Sequence, residues 1–263
     1  MQQAVDFLEE SDALAAVLEN FPDPDWECAT QFKSWTVNDV IVHLLFWNRA
    51  ADLALVDPDG FAALASEVMA EMPKGGLRPI ENRIITARGA DLCTLWQAQY
   101  RDMAARWTKL DPKLRVKWVG PEMSVRSSIT ARQMETWAHG MEIFDLLGLK
   151  RADTDRIRNV VILGVNTFGW SHRVQGLEVP ETMPYLQLRA PSGAFWEFGE
   201  PNADERIAGD AVDFASVVTQ TRNIADTALQ VTGATATRWM QTAQCFAGGK
   251  EAPPLPGTRH ATR

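Results

Sequence analysis

The sequence predicts an all-α bundle of four helices over residues 1–150 and a small α+β domain, entered by a linking helix, over residues 151–250. A Pro- and Gly-rich tail fills 251–263. Three observations predict this. Apolar residues recur at helical spacing through the first half, so that half should bury helix faces. After Gly176 and Pro180 the period shortens to two, as strands require. Turn residues cluster between the periodic segments.

The helices follow in order. Residues 4–20 place Phe7, Leu8, Leu14, Ala15 and Leu18 on one stripe, and the turn residues of 20–24 end it. Thr36 and Asp39 have capping-box spacing, with Asp in place of the usual Glu, so a second helix should start at Val37. It runs to Ala54 with Val40, His43, Leu44, Trp47 and Ala51 on one face. Two glycines and two prolines make residues 73–79 a predicted loop. A long third helix is expected over 80–110, apolar at Ile84, Leu92, Leu95, Trp96, Met103 and Trp107, and stopped by Asp111-Pro112. Residues 118–125 read as irregular. The fourth helix spans 127–147 with Gly148 as its C-cap. Four helices of this length suggest a bundle.

A linking helix is expected over 155–173, apolar at Ile157, Val160, Val161, Val165 and Phe168. Residues 185–189 alternate, Pro191-Ser192-Gly193 turns the chain, and 194–198 return as a hairpin partner. A strand over 206–209, a helix over 211–224, a strand over 229–232 and a helix over 235–246 complete the α+β part.

Composition limits the function. Hydrophobic residues make up 46% of the chain, enough for a core without covalent staples. The formal net charge is -8 and no Lys/Arg cluster stands out, so no nucleic-acid partner is expected. Cys28, Cys93 and Cys245 form no C-x-x-C pair, which suits a reducing cytoplasm better than a disulfide framework. Residues 1–12 carry four acids and no base, unlike a signal or transit peptide. No apolar run approaches the ~20 residues of a spanning helix. A cytoplasmic protein without a membrane partner is the expectation.

One constellation carries chemistry. Glu135 and His139 sit one helical turn apart on the fourth helix and project from one face. His43 is on the inward stripe of the second helix. Facing helices of a bundle build metal sites from such residues. Two imidazoles and a carboxylate suit Zn²⁺ and leave a fourth position open, and the same set holds iron, nickel or manganese. The competing reading is plain: E-x-x-x-H recurs by chance on helices, and a histidine on an apolar face also serves as a hydrogen-bonded core residue. His172, with Arg173 at the end of the linking helix, reads as a helix-terminal dipole arrangement, and His260 as a solvated tail residue.

The run Ser34-Trp35-Thr36-Val37-Asn38-Asp39-Val40-Ile41-Val42-His43-Leu44 resembles the W-[ST]-V-x-[DQ]-x-x-x-H-L signature of DinB-like metal-binding proteins. Glu135-Thr136-Trp137-Ala138-His139-Gly140 resembles their second motif, E-x-x-x-H-G. More narrowly, the chain is similar to the mycothiol-dependent maleylpyruvate isomerase group from about Val5 to Gly249. Pro191-Ser192-Gly193, Trp196-Glu197-Phe198-Gly199 and residues 209–222 fall in the expected order. The resemblance implies a DinB-like four-helix bundle followed by a sterol-carrier-like α+β domain. It implies His43, Glu135 and His139 as metal ligands and Arg222 as a residue facing the site, whose fork suits a substrate carboxylate. The chain departs from the group's pattern at Glu142, where many relatives have Asp, and at Gln220-Thr221, where they often have Gly.

The implied activity is a metal- and thiol-dependent isomerisation or S-transfer on a small, maleylpyruvate-like electrophile. The cofactors are Zn²⁺, or another divalent metal, and a low-molecular-weight thiol; the partners are that thiol and a small-molecule substrate. The alternative is a non-catalytic protein that binds an apolar ligand and keeps a structural or vestigial metal site.

Overall fold

Helix α1 (Gln2–Val17) buries Ala4, Phe7, Leu14 and Ala15 and packs on α5 (Gly89–Trp107), which turns Leu92, Trp96, Tyr100, Met103 and Trp107 inward. Helix α2 (Val37–Val56) packs on α5, on α3 (Pro58–Gly75) and on α4 (Leu77–Ile84). Its start is the predicted capping box. Thr36 Oγ1 accepts from the Asp39 amide at 3.1 Å, and the Asp39 carboxylate accepts from the Thr36 amide at 3.0 Å. Helix α6 (Val125–Leu147) follows a two-strand ribbon, β1 (Arg115–Val116) with β2 (Met123–Ser124). The computed structural model describes residues 1–262, in two units that divide between Ile143 and Phe144.

The structure departs from the expected helices in ways that matter for the site. The predicted loop over 73–79 is helical on both sides of Gly76, whose φ of 79° breaks the chain direction. Pro73 lies in the last turn of α3, and Pro79 in the first turn of α4, where a missing N–H costs no intrahelical bond. Helix α3 itself was not foreseen; Asp57 caps it through the Gly60 amide, and Pro58 starts it.

The single long helix expected over 80–110 is two helices. The β-branched run Ile84-Ile85-Thr86 leaves the helix as extended chain at Ile85. Gly89 then takes φ +60°, a conformation glycine adopts at little cost. Asn38 Oδ1 accepts the Gly89 amide at 2.8 Å, tying the start of α5 to the start of α2. The break frees α4 to lie against α2.

The second unit carries a four-stranded sheet of β3 (Tyr185–Arg189), β4 (Phe195–Phe198), β5 (Arg206–Asp210) and β6 (Gln230–Thr232), in the order β4-β3-β5-β6. The β3–β4 hairpin and the β5–β6 pair are antiparallel, and β3 runs parallel to β5. Alternation sends Leu186, Leu188, Trp196 and Ile207 inward and leaves Gln187 and Glu197 bonded to each other outside. Helix α9 (Ala211–Val218) covers β3 and β5, and α7 (Arg158–Asn166) packs on α9. A Cβ at Gly164 would stand 2.8 Å from Val218 Cγ2, so the close approach of α7 to α9 needs glycine there. The expected linking helix divides at Thr167 into α7 and α8 (Phe168–Val174), and α10 (Ala234–Thr242) packs on α8 and β6. The first part is thus helix-rich and the second smaller and sheet-containing. Among the described residues no helix is long and apolar enough to cross a membrane.

Candidate metal centre

The capping box sets where α2 begins, and His43 follows on its second turn, in the first unit. Its Nε2 lies 3.4 Å from Glu135 Oε2. One turn along α6, His139 Nε2 lies 3.2 Å from the same oxygen. One ligand atom from each residue falls within 4.8 Å of the others. Donors about 2.1 Å from a tetrahedral ion stand about 3.4 Å apart. The spacing and the donor chemistry, two imidazoles and a carboxylate, therefore fit a divalent cation.

Aromatic rings wall the cluster. Trp35 stacks on His139 with ring centroids 5.3 Å apart and planes 5° from parallel, and Phe32 meets the same ring edge-on at 5.1 Å. Trp35 and Phe32 precede the capping box, so the segment that starts α2 also holds a ring of α6.

The far side of His43 is occupied by Glu81, from α4. His43 Nδ1 donates to Glu81 Oε1 at 2.9 Å, and the Trp47 indole N–H donates to the same oxygen at 2.8 Å. Glu81 is 1% exposed, so this is a buried carboxylate held by two α2 side chains. Sequence reasoning did not single it out. The available signal was its place on the first turns after a Gly/Pro cluster, and that signal is weak. Arg132, also buried, lies below Glu135 with Nη2 3.6 Å from Oε1, the oxygen not shared by the histidines.

The electrostatics follow from these neighbours. Burial disfavours an imidazolium at His43, but the Glu81 and Glu135 carboxylates more than offset it and raise its pKa to about 9. Burial pushes Glu135 up, but hydrogen bonds from His139 and His43 and the Arg132 charge hold it well below the usual carboxylate range. His139 is lowered, first by burial and further by the charge on His43, against the pull of Glu135. The same carboxylates that favour a proton on His43 would favour a bound cation, which would compete with that proton.

Arg222 lies in the second unit, past the end of α9. The predicted helix over 211–224 stops at Val218, and Gln220 takes φ +58°. Both arms of the Arg222 fork donate to Asp145, at 2.8 Å from Nη1 and 2.6 Å from Nη2. His172 and Arg173 lie in the last turn of α8, where the sequence predicts a helix-terminal arrangement; His172 is also buried, and its Nδ1 donates to Phe168 O at 2.9 Å. His260 is exposed, while neighbouring tail residues are fastened, the Gly257 amide donating to Asp226 and Asn223 Nδ2 to Pro254 O. Among the described residues no disulfide forms; Cys28 is exposed, and Cys93 and Cys245 are buried.

Residues 7–144 match the family described as the mycothiol maleylpyruvate isomerase N-terminal domain. Two uncharacterized proteins of Mycobacterium tuberculosis, MT0041 of strain CDC 1551 / Oshkosh and Rv0036c of strain H37Rv, are each 35% identical over 243 residues, covering 92% of this chain and 94% of theirs. Crystal structures of the mycothiol-dependent maleylpyruvate isomerase, and of a variant with one histidine changed to alanine, each cover 82% of this chain and 87% of their own. They align at 14% identity with a TM-score of 0.49. With its family segment spanning both halves of the His/Glu/His cluster, the chain belongs to the mycothiol maleylpyruvate isomerase family.

Proposed function

We propose that this protein holds one divalent metal, zinc or a similar ion, through His43, Glu135 and His139, and uses it with a small thiol either to isomerise a small electrophile of the maleylpyruvate kind or to transfer the thiol sulfur onto it. The observation that carries the reading is the convergence of two imidazole nitrogens on one Glu135 oxygen, backed by the buried charges of Glu81 and Arg132. Family membership supports the choice of a thiol over water as the reacting partner.

A divalent ion bound there supplies positive charge that favours the thiolate over the thiol at neutral pH. The protein's own groups do the rest. Trp35 and Phe32 exclude water from one side of His139 and fix its ring. Glu135 presents one oxygen to the cluster while Arg132 balances its charge. A thiolate that adds to a cis double bond leaves an enolate and permits rotation about the resulting single bond; re-forming the double bond with expulsion of the thiolate completes isomerisation, and uptake of a proton at the enolate carbon gives the S-conjugate.

Arg222 is the proposed reader of a substrate carboxylate. Family membership supports that role; both arms of the fork are held by Asp145, so a substrate carboxylate would have to displace that contact. We also read the first unit as a DinB-like bundle and the second as sterol-carrier-like, supported by the capped α2 with its histidine and by the mixed sheet covered by α9. The cytoplasm is the proposed compartment.

The test is direct. Zinc-loaded protein is mixed with a maleyl-type substrate and a panel of thiols, mycothiol and glutathione among them, and substrate loss is followed by absorbance and mass. Thiol-dependent consumption, abolished in His139→Ala, is expected. No consumption with any thiol would sink the catalytic reading.

A further inference from the structure

We propose that Glu81 is a positioning residue of the metal centre: it fixes the tautomer and ring angle of His43 so that Nε2, and not Nδ1, meets the metal. The inference rests on the reading of His43, Glu135 and His139 as metal ligands.

Three observations on three elements carry it. Glu81 Oε1 accepts from His43 Nδ1 at 2.9 Å, on the side of the ring away from Glu135 and His139. An imidazole whose Nδ1–H is committed to a carboxylate offers its lone pair at Nε2. Trp47 Nε1 donates to the same oxygen at 2.8 Å. A second donor from one turn along α2 holds the carboxylate in place, so the ring cannot carry it along when it turns. The third observation is burial without full satisfaction. Glu81 Oε2 has no hydrogen-bond partner, and Arg132 Nη1, also buried, has none. A carboxylate kept at 1% exposure with one oxygen unpaired pays a desolvation cost that packing alone does not explain.

The fold is arranged to deliver it. The chain break over residues 85–88 separates α4 from α5 and lays α4 against α2. Asn82, next to Glu81, donates to Asp39 Oδ1 at 3.1 Å, so α4 is pinned to the capping box that starts the His43 helix. One local structure, the α2 N-terminus, therefore registers both His43 and its supporting carboxylate.

The experiment compares wild type with Glu81→Gln, which keeps shape and an acceptor but removes the charge, and with Trp47→Phe, which removes the indole N–H clamp on Glu81 while keeping an aromatic ring beside His43, Phe46 and Trp118. Zinc affinity is measured by competition with a chromophoric chelator, and the Co²⁺-loaded proteins are compared by visible absorption. Glu81→Gln should bind zinc about 10–100-fold more weakly, with altered Co²⁺ bands, and Trp47→Phe should shift both in the same direction by less. Variants that melt lower but keep wild-type affinity and spectrum would overturn the proposal and leave Glu81 a packing residue. Wild type that binds no metal would overturn the ligand assignment itself, a different outcome from an unaffected variant.

Discussion

At the scale of single residues, charge has been buried in specific pairs. Glu135 is the hinge of the cluster, with one oxygen toward the two histidines and the other toward Arg132. Its Arg222 counterpart in the second unit grips Asp145 with both arms, and Asp145 is nearly inaccessible. Replacing Asp145 by Asn removes the charge from that bidentate contact while keeping its volume. We expect Asp145→Asn to lose about 1–3 kcal/mol in chemical denaturation, the range for a charge-assisted hydrogen bond. A midpoint within error of wild type would show that Arg222 draws no stability from the pair.

Single residues also show what sequence reasoning reaches. His43, Glu135 and His139 were legible because each sits on a helix whose register is set locally, by a capping box or by i,i+4 spacing. Glu81 was not. A glutamate on a helix reads as a solvent-facing residue, and its partner lies 38 positions away. The break between α4 and α5 lets α4 lie against α2 with Glu81 inward, and a contact 51 positions apart in sequence, the Gly89 amide donating to Asn38 Oδ1, fastens it there.

At the scale of elements, helix ends do much of the positioning. The start of α10 is an example: Glu205, from the end of the preceding sheet connection, accepts the Thr235 amide at 3.0 Å and the Ala236 amide at 2.8 Å. Burial raises the Glu205 pKa, but these amides outweigh it and leave the group below its usual value. A depressed carboxylate stabilises the fold above its unfolded pKa, near 4.3, and loses that contribution as pH falls through the folded value. Thermal melts of wild type and Glu205→Gln should therefore differ most at neutral pH and converge in acid. A gap that stays constant down to acid pH would show that shape, not charge, sets the cap. The hairpin of β3 and β4 and the strand β5 fell where alternation put them. The long helices over 80–110, 155–173 and 211–224 each proved shorter. Periodicity continues across breaks at Ile85, Thr167 and Val218 that are set by backbone turns such as Gln220 at φ +58°.

At the scale of the whole molecule, the chain joins a helix-rich part, in which three helices and the loop preceding α2 contribute to one buried polar cluster, to a smaller part built around a mixed sheet. The polar cluster is costly to bury, and the Glu81 and Glu135 carboxylates beside His43 favour a positive charge there. Such an arrangement makes sense as a preformed receptor for a cation, which is the central claim. Its most direct test is elemental analysis of untagged protein, with wild type beside His43→Ala and His139→Ala and circular dichroism to confirm that each variant is folded. The account predicts close to one zinc or other divalent ion per wild-type chain and loss of that ion in both folded variants. Wild type that stays metal-free after reconstitution, or variants that retain a full equivalent, would contradict it.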